Sequence, residues 1–141
     1  MTDRVLGLLG MMRRASAIAP GEDRASEAVS QGKAKLLLLA SDAGEKTETR
    51  ADRMLEGRSA RKIVLPFSRE ETGAAIGLGS CVMIAVTDLG FARSLAEKLA
   101  EEDPGRYGAD AEAVGRRFEK AQRRKTEKPG RKNRKKSAGE E

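Results

Sequence analysis

The sequence predicts an α/β fold: a three-layer α/β/α sandwich with a central mixed sheet of about four strands, followed by a basic C-terminal tail. Helix-like stretches alternate with short apolar runs, and the run Leu36–Ala40 is apolar at every position. A strand with two apolar faces is typical of a sheet that helices cover on both sides. The tail is predicted from charge, since residues 1–109 hold 16 basic and 16 acidic residues and the net charge of +6 comes from residues 110–141.

The first forty residues predict two helices and two strands. Apolar residues at helical spacing follow the N-cap candidates Thr2 and Asp3, and Pro20-Gly21 ends the first strand. Gly32 suits the C-terminal stop of the second helix, because glycine readily adopts the left-handed conformation found there. The expected bounds are a helix over 3–14, a strand over 16–19, a helix over 22–31 and the strand 36–40.

Further helices and strands are expected up to residue 103, and polar residues mark where the helices begin. Ser41 or Asp42 can cap the third helix. Ser68, with Glu71 three positions later, gives the capping-box pattern that opens a short helix. The expected elements are a helix over about 45–57, a strand over 63–65, a helix over 68–76, a strand over 82–86 and a helix capped by Thr87 or Asp88.

The composition changes at Pro104-Gly105, which we take as the boundary between a domain, residues 1–103, and a tail, residues 104–141. A charged helix is expected over about 110–125. Beyond Lys125 the chain is dense in basic residues and poor in apolar ones, so we expect disorder there.

The composition argues against an enzyme and against a metal or cofactor. The chain has no His, the commonest general base, and Cys81 is its single cysteine. Paired-cysteine spacings and Gly-rich phosphate loops do not occur in the sequence. A lone thiol is typical of the reducing cytoplasm, where we expect this protein. Its apolar runs fall far short of the roughly 20 residues that span a bilayer, so we expect no membrane segment.

The charge distribution indicates a polyanionic partner, and a nucleic acid is the polyanion that clustered Lys and Arg suit. Clustered Lys and Arg supply the phosphate contacts that give most of the affinity in nucleic-acid binding. Aromatic residues make up only 3% of the chain, which argues against base stacking on an aromatic platform. A solubilising extension is the alternative explanation of the tail. The cations expected on the phosphate backbone of the partner, which the resemblance below implies to be RNA, are Arg116, Arg117, Arg123, Arg124, Lys125, Arg131, Lys132, Arg134, Lys135 and Lys136.

Three stretches of the sequence resemble a known family. They are Gly21-Glu22-Asp23-Arg24, the segment from Gly32-Lys33-Ala34-Lys35 to Asp42, and the segment from Ser68 to Gly77 before a Val-rich strand. Over about residues 3–100 the chain resembles the L-seven-Ae type of ribosomal protein superfamily, and within it the bacterial YlxQ-like branch. The resemblance implies a non-enzymatic, RNA-binding protein that recognises kink-turns, sharply bent internal loops with sheared G·A pairs, in the ribosome or the transcription and translation machinery.

The resemblance also implies where RNA binds: the start of the second helix, the end of the central strand, and the loop before the last strand. Carried over residue by residue, the contacts are Gly21, Glu22, Asp23, Arg24, Glu27, Lys33, Asp42, Gly77, Leu78, Gly79 and Ser80. Strong kink-turn binders of the superfamily have Asn-Glu in place of Asp23-Arg24 and Lys in place of Glu27. Favourable placement of acids near the positive end of a helix is the alternative explanation of Asp23 and Glu27.

Two other functions stay open at this point. One is a protein-interaction module whose tail alone binds RNA nonspecifically. The other is an accessory substrate-binding subunit of an RNA-modifying enzyme, because related folds serve as substrate-binding domains of RNA methyltransferases. The expected oligomeric state is a monomer.

Overall fold

The computed structural model describes residues 2–127. In this part of the chain, six helices and four strands follow one another in largely the predicted order. Their bounds are α1 Thr2–Arg14, β1 Ile18–Pro20, α2 Glu22–Ser30, β2 Leu36–Leu39, α3 Glu45–Leu55, β3 Arg61–Val64, α4 Arg69–Ala75, β4 Met83–Val86, α5 Leu89–Glu102 and α6 Pro104–Glu127. Across residues 2–127, no helix is both long enough and apolar enough to cross a membrane.

The strands form one mixed sheet of four strands, as predicted, and their order is β1-β4-β2-β3. β2 pairs with β3 in parallel, whereas β4 runs antiparallel to both β1 and β2. The carboxyl ends of β1, β2 and β3 therefore lie at one end of the sheet, beside the start of β4. The segments that leave these strands are brought together at that end.

Helices cover both faces of the sheet, which confirms the three-layer sandwich. The four leucines of β2 are fully buried. Leu36 and Leu38 lie in one core cluster with residues of α1, α5 and α6, and Leu37 and Leu39 lie in a second cluster with residues of α2 and α3. Successive side chains of a strand point to opposite faces, so both layers need apolar residues here. Each such leucine contributes about 1.5–3 kcal/mol relative to an exposed one.

The bounds of β1 and β3 differ most from the prediction, and β2 and β4 are each one residue shorter than predicted. β1 covers Ile18–Pro20 rather than 16–19, because Ser16 has a φ of 58°, which interrupts an extended run. Proline is tolerated in β1 because this edge strand pairs only with β4. β3 covers Arg61–Val64 rather than 63–65, since its parallel pairing with β2 begins two residues earlier.

The helix caps follow the prediction at α4 and α5 but not at α3. Ser68 forms the predicted capping box at α4, and the Asp88 carboxylate accepts a hydrogen bond from an amide of the first turn of α5 at 2.9 Å. The prediction that Ser41 or Asp42 caps α3 is wrong, because the N-cap residue is Gly44. Its φ of 92° and ψ of 161° form a conformation that only glycine adopts easily, and it turns the chain into α3.

The helix predicted over 110–125 extends over Pro104–Glu127 and packs against α5. Tyr107 and Val114 are 3% and 2% exposed and belong to the core cluster that contains α1 and α5. They are seven residues apart, about two helical turns, so one stripe of α6 faces the core. The Tyr107 hydroxyl also donates to the Val64 carbonyl at 2.6 Å.

The helical part of the predicted tail is thus packed against the sandwich. The assignment of RNA binding to residues 1–103 and of a separate role to 104–141 stays a prediction. The disorder predicted beyond Lys125 falls almost entirely on residues 128–141, outside the described residues.

Candidate nucleic-acid interface

Three segments meet at the end of the sheet where β1, β2 and β3 finish and β4 begins. They are the start of α2, the turn from β2 into α3, and the loop that precedes β4. We call this surface the loop face and define it by Gly21–Arg24, Ser41–Gly44 and Gly77–Ser80. Two backbone hydrogen bonds fix the loop face to the start of β4. Gly21 N donates to Met83 O at 2.8 Å, and Ala40 N, just before Ser41, donates to Val82 O at 2.9 Å.

α2 begins on the loop face without a side-chain cap. Its N-cap residue, Gly21, has a φ of 95° and a ψ of 150° and offers no side chain to the amides of the first turn. Those amides carry partial positive charge and suit an acceptor group from a ligand. Asp23 and Arg24 are exposed on the same turn.

Glu22 is held by α3. Its Oε1 accepts a hydrogen bond from Arg50 Nη2 at 3.0 Å, and its Oε2 accepts a second from Arg50 Nε. The hydrogen bonds from Arg50 lower the pKa of Glu22, although partial burial opposes the shift. The same hydrogen bonds raise the pKa of Arg50. This ion pair joins α2 to α3, so the Glu22 carboxylate is already engaged.

Arg24, Glu27 and Lys33 share a shallow groove of about 330 Å³ between α2 and the edge strand β1. Glu27 is exposed on the middle of α2, and Lys33 follows the end of that helix. Lys33 precedes β2, so it lies towards the opposite end of the sheet from Gly21. The structure therefore brings most of the predicted RNA contacts to the loop face but places Glu27 and Lys33 along the flank of α2.

Asp42 ties the turn after β2 to α4. Its Oδ1 accepts from the Arg69 amide at 2.9 Å, and its carbonyl accepts from Arg69 Nη2 at 2.6 Å. The Arg69 guanidinium also lies 3.6 Å from the second carboxylate oxygen. Asp42 thus accepts from the first amide of α4, whose N-cap residue is Ser68, instead of capping α3 as predicted. Its carboxylate positions the loop face.

The loop Gly77–Ser80 is exposed throughout, and Leu78 is one of the two large apolar side chains most exposed among the described residues, at 39%. Its amide donates to the Gly73 carbonyl at 2.8 Å. A Cβ at Gly73 would lie 2.5 Å from Ser80 Cα, so α4 and the loop touch at a position where only glycine fits. The exposed Leu78 side chain therefore lies on a loop whose backbone is held by α4.

The predicted tail cations that the structure describes lie on α6. Arg116 pairs with Glu112 at 3.4 Å, and Arg117 Nη1 donates to the Ser59 carbonyl at 3.2 Å. Arg123, Arg124 and Lys125 are exposed at the end of the helix. The remaining predicted cations, Arg131, Lys132, Arg134, Lys135 and Lys136, lie outside the described residues.

Sequence reasoning did not single out Lys35 and Lys120 as site residues. With Arg117 and Arg124 they line a cleft of about 320 Å³ at the end of the sheet opposite the loop face. We call it the basic cleft and define it by these four residues. The helical spacing of Arg117, Lys120 and Arg124 was a usable signal, but only the strand order brings Lys35 beside them.

No family model matches the chain. The RNA-binding protein YlxQ of Bacillus subtilis (strain 168) is 34% identical to it over 96 residues, which cover 65% of this chain and 91% of that relative. The chain belongs to the YlxQ family. The resemblance seen in the sequence is thereby confirmed, and about a third of the chain lies outside the match to YlxQ.

Two solved structures resemble this member of the YlxQ family. A Bacillus halodurans protein of unknown function is 35% identical, with a TM-score of 0.61 over 66% of this chain and 93% of the other. A 15.5kD RNA-binding protein of Giardia lamblia is 20% identical, with a TM-score of 0.56 over 80% of this chain and 88% of the other. The second likeness concerns the fold alone.

Proposed function

We propose that this member of the YlxQ family is a non-enzymatic RNA-binding protein that recognises structured, kink-turn-like RNA in the ribosome or in the transcription and translation machinery. The observation that carries the proposal is the convergence, on the loop face, of an uncapped helix start with a rigidly held, exposed loop. The Bacillus subtilis relative supports it, because that protein is named as RNA-binding. Binding of this kind needs no cofactor, and the cytoplasm is the compartment we expect.

The start of α2 supplies polar recognition. Its open amides suit acceptor atoms of bases or phosphates. The exposed Asp23 carboxylate only accepts, so it suits amino groups on base edges, whereas the Arg24 guanidinium only donates. A sharply bent RNA opens its groove and exposes the edges of sheared G·A pairs to such a helix end.

The loop Gly77–Ser80 supplies apolar contact. Gly77 and Gly79 have open space where a Cβ would stand, so RNA can approach the backbone closely. Leu78 offers a side chain that a flipped-out nucleotide can cover, and removing apolar surface from water favours binding by about 25 cal/mol per Å². This contact with Leu78 needs an unstacked base, which a regular duplex does not offer.

The test compares a kink-turn RNA with a straight duplex of equal length by fluorescence anisotropy. We expect the kink-turn to bind at least about tenfold more tightly, equivalent to about 1.4 kcal/mol. Leu78→Asp should remove this preference, because the new carboxylate would have to lose its hydrating water to contact a base. The control Thr49→Asp adds the same charge on the exposed face of α3 and should retain it.

Equal affinity of the unaltered protein for both RNAs would contradict the proposal. That result would favour a protein-interaction module that contacts RNA nonspecifically through its basic residues.

A further inference from the structure

We propose that the basic cleft is a second RNA site, which binds the phosphate backbone of a helical segment different from the RNA segment on the loop face. This inference rests on the proposed RNA binding and extends it from one segment to two. The protein would then bridge two RNA helices, whether they belong to one folded RNA or to two molecules.

The cleft is a built surface with a fixed floor. Leu89 and Ala121 contribute apolar surface between the four cations. Lys35 is half-buried, and its amide donates to the Val86 carbonyl at 2.6 Å, so its backbone is fixed at the start of β2. A partly buried lysine extends its stem along apolar surface and keeps its ammonium in water.

Arg117 is also positioned before any ligand arrives. Its Nη1 donates to the Ser59 carbonyl at 3.2 Å, which uses one of the five guanidinium donors and leaves others for phosphate oxygens. Ordering the Arg117 side chain in the free protein lowers the entropy lost on binding.

Within residues 4–125, no carboxylate forms an ion pair with any of the four cations of the cleft: none lies within 4.0 Å of a charged nitrogen of Lys35, Arg117, Lys120 or Arg124. Asp88, next to the floor residue Leu89, is engaged in capping α5. Converging like charges repel one another, and a row of phosphates relieves that repulsion.

The cleft and the loop face lie at opposite ends of the sheet, so a second RNA segment can bind the cleft while the first occupies the loop face. The loop face lies beyond the carboxyl end of β2 and Lys35 lies before its start, so the four residues of β2, about 13 Å of strand, separate the two sites. α6 ends at the cleft, and the sequence continues with six more basic residues between 128 and 136. Three of the four cleft cations also lie beyond residues 3–100, which carry the family resemblance.

The experiment uses the full chain with a donor-labelled kink-turn RNA and an acceptor-labelled short straight duplex. We expect energy transfer between the RNAs only when the protein is present. Lys120→Glu combined with Arg124→Glu should abolish the transfer and weaken duplex binding by at least about tenfold, since charge-reversed contacts repel phosphates. Affinity for the kink-turn should change by less than about threefold, because the loop face is intact.

The matched control is Lys46→Glu with Arg53→Glu, the same change of charge on the exposed surface of α3. It should retain duplex binding and energy transfer. The inference is overturned if the cleft variant bridges the RNAs as well as the unaltered protein, or if the control loses bridging equally. Failure of the unaltered protein to bind either RNA would instead overturn the proposed function itself.

Discussion

At the scale of single residues, Gly73 decides the shape of the loop on the loop face. A side chain there would meet the Ser80 backbone at 2.5 Å, closer than van der Waals contact. We predict that Gly73→Ala displaces the loop, lowers the free energy of unfolding by about 1–3 kcal/mol and weakens kink-turn binding. Urea denaturation and fluorescence anisotropy measure the two effects.

Gly7→Ala is the matched control for this substitution. Gly7 lies in α1 with nothing within 4 Å of a Cβ position, and alanine favours a helix over glycine. The free energy of unfolding of the Gly7→Ala variant should rise slightly, and the RNA affinity of this variant should stay unchanged. If Gly73→Ala behaved like Gly7→Ala, the close contact with Ser80 would have no role in holding the loop.

If RNA binds as proposed, the negative charge of Glu27 on α2 should oppose the approach of phosphates. Glu27 is exposed, and it shares the α2 groove with Arg24 and Lys33. Like charges near each other repel by about 1 kcal/mol in water, so we predict that Glu27→Lys strengthens kink-turn binding by about fivefold or more. Glu56→Lys, an equal change of charge at the end of α3, is the control for net charge in the same titration. No gain beyond that control would show that Glu27 does not face the RNA.

Some residue roles were predictable from the sequence and others were not. The family resemblance indicated the three segments of the loop face, and the strand order brings them together at one end of the sheet. The partners of Glu22 and Asp42 lie 28 and 27 positions away along the chain, so no local pattern predicts them. Which residues contact RNA stays a prediction.

At the scale of elements, α6 is anchored by Tyr107, the single tyrosine of the chain. Its hydroxyl donates to the Val64 carbonyl at the end of β3. We predict that Tyr107→Phe lowers the free energy of unfolding by about 0.5–1.5 kcal/mol, because the half-buried Val64 carbonyl loses its shorter hydrogen bond and keeps the one from Arg106 Nη2 at 3.3 Å. Thermal or urea denaturation near neutral pH gives the value. An unchanged stability would show that the hydrogen bond contributes nothing to holding α6.

Tyr107 also predicts that the free energy of unfolding falls at alkaline pH. Burial raises the pKa of Tyr107 above its ordinary value of 10.0, so the folded state favours the neutral phenol. The stabilisation is fully present below pH 10.0 and is lost as the pH rises through the folded pKa. Tyr107→Phe should lack this loss, which stability measurements across the alkaline range would detect.

Most elements of the sandwich were predictable because each depends on local signals. The alternation of helix-like stretches with short apolar runs predicted the three layers, and the Ser68 capping box predicted α4. Three features needed the tertiary structure: Pro20 lies in a strand because that strand is at an edge, Gly44 replaces a polar cap at α3, and α6 begins at Pro104. The start of α6 was hidden because Gly105 and Gly108 are poor helix formers, and packing against α5 overrides that propensity.

At the scale of the whole molecule, the basic cleft places positive charge at the end of the sheet away from the loop face. We predict that a chain ending at residue 127, which lacks six basic residues, shows a shallower dependence of log affinity on log salt. The slope should fall by about 0.7–0.9 for each phosphate that the removed residues neutralise. An unchanged slope would contradict a role for those residues in RNA binding. Cutting at residue 109 is unsuitable, since it removes the buried Val114.

The central claim is that the loop face, rather than the basic residues alone, docks on folded RNA. NMR titration of the labelled protein with a kink-turn RNA at moderate salt tests it most directly. We predict that the largest amide shifts occur at Gly21–Arg24 and Gly77–Ser80, with smaller shifts along α6. Shifts confined to α6 and residues 128–136, with the loop face unchanged, would contradict the claim.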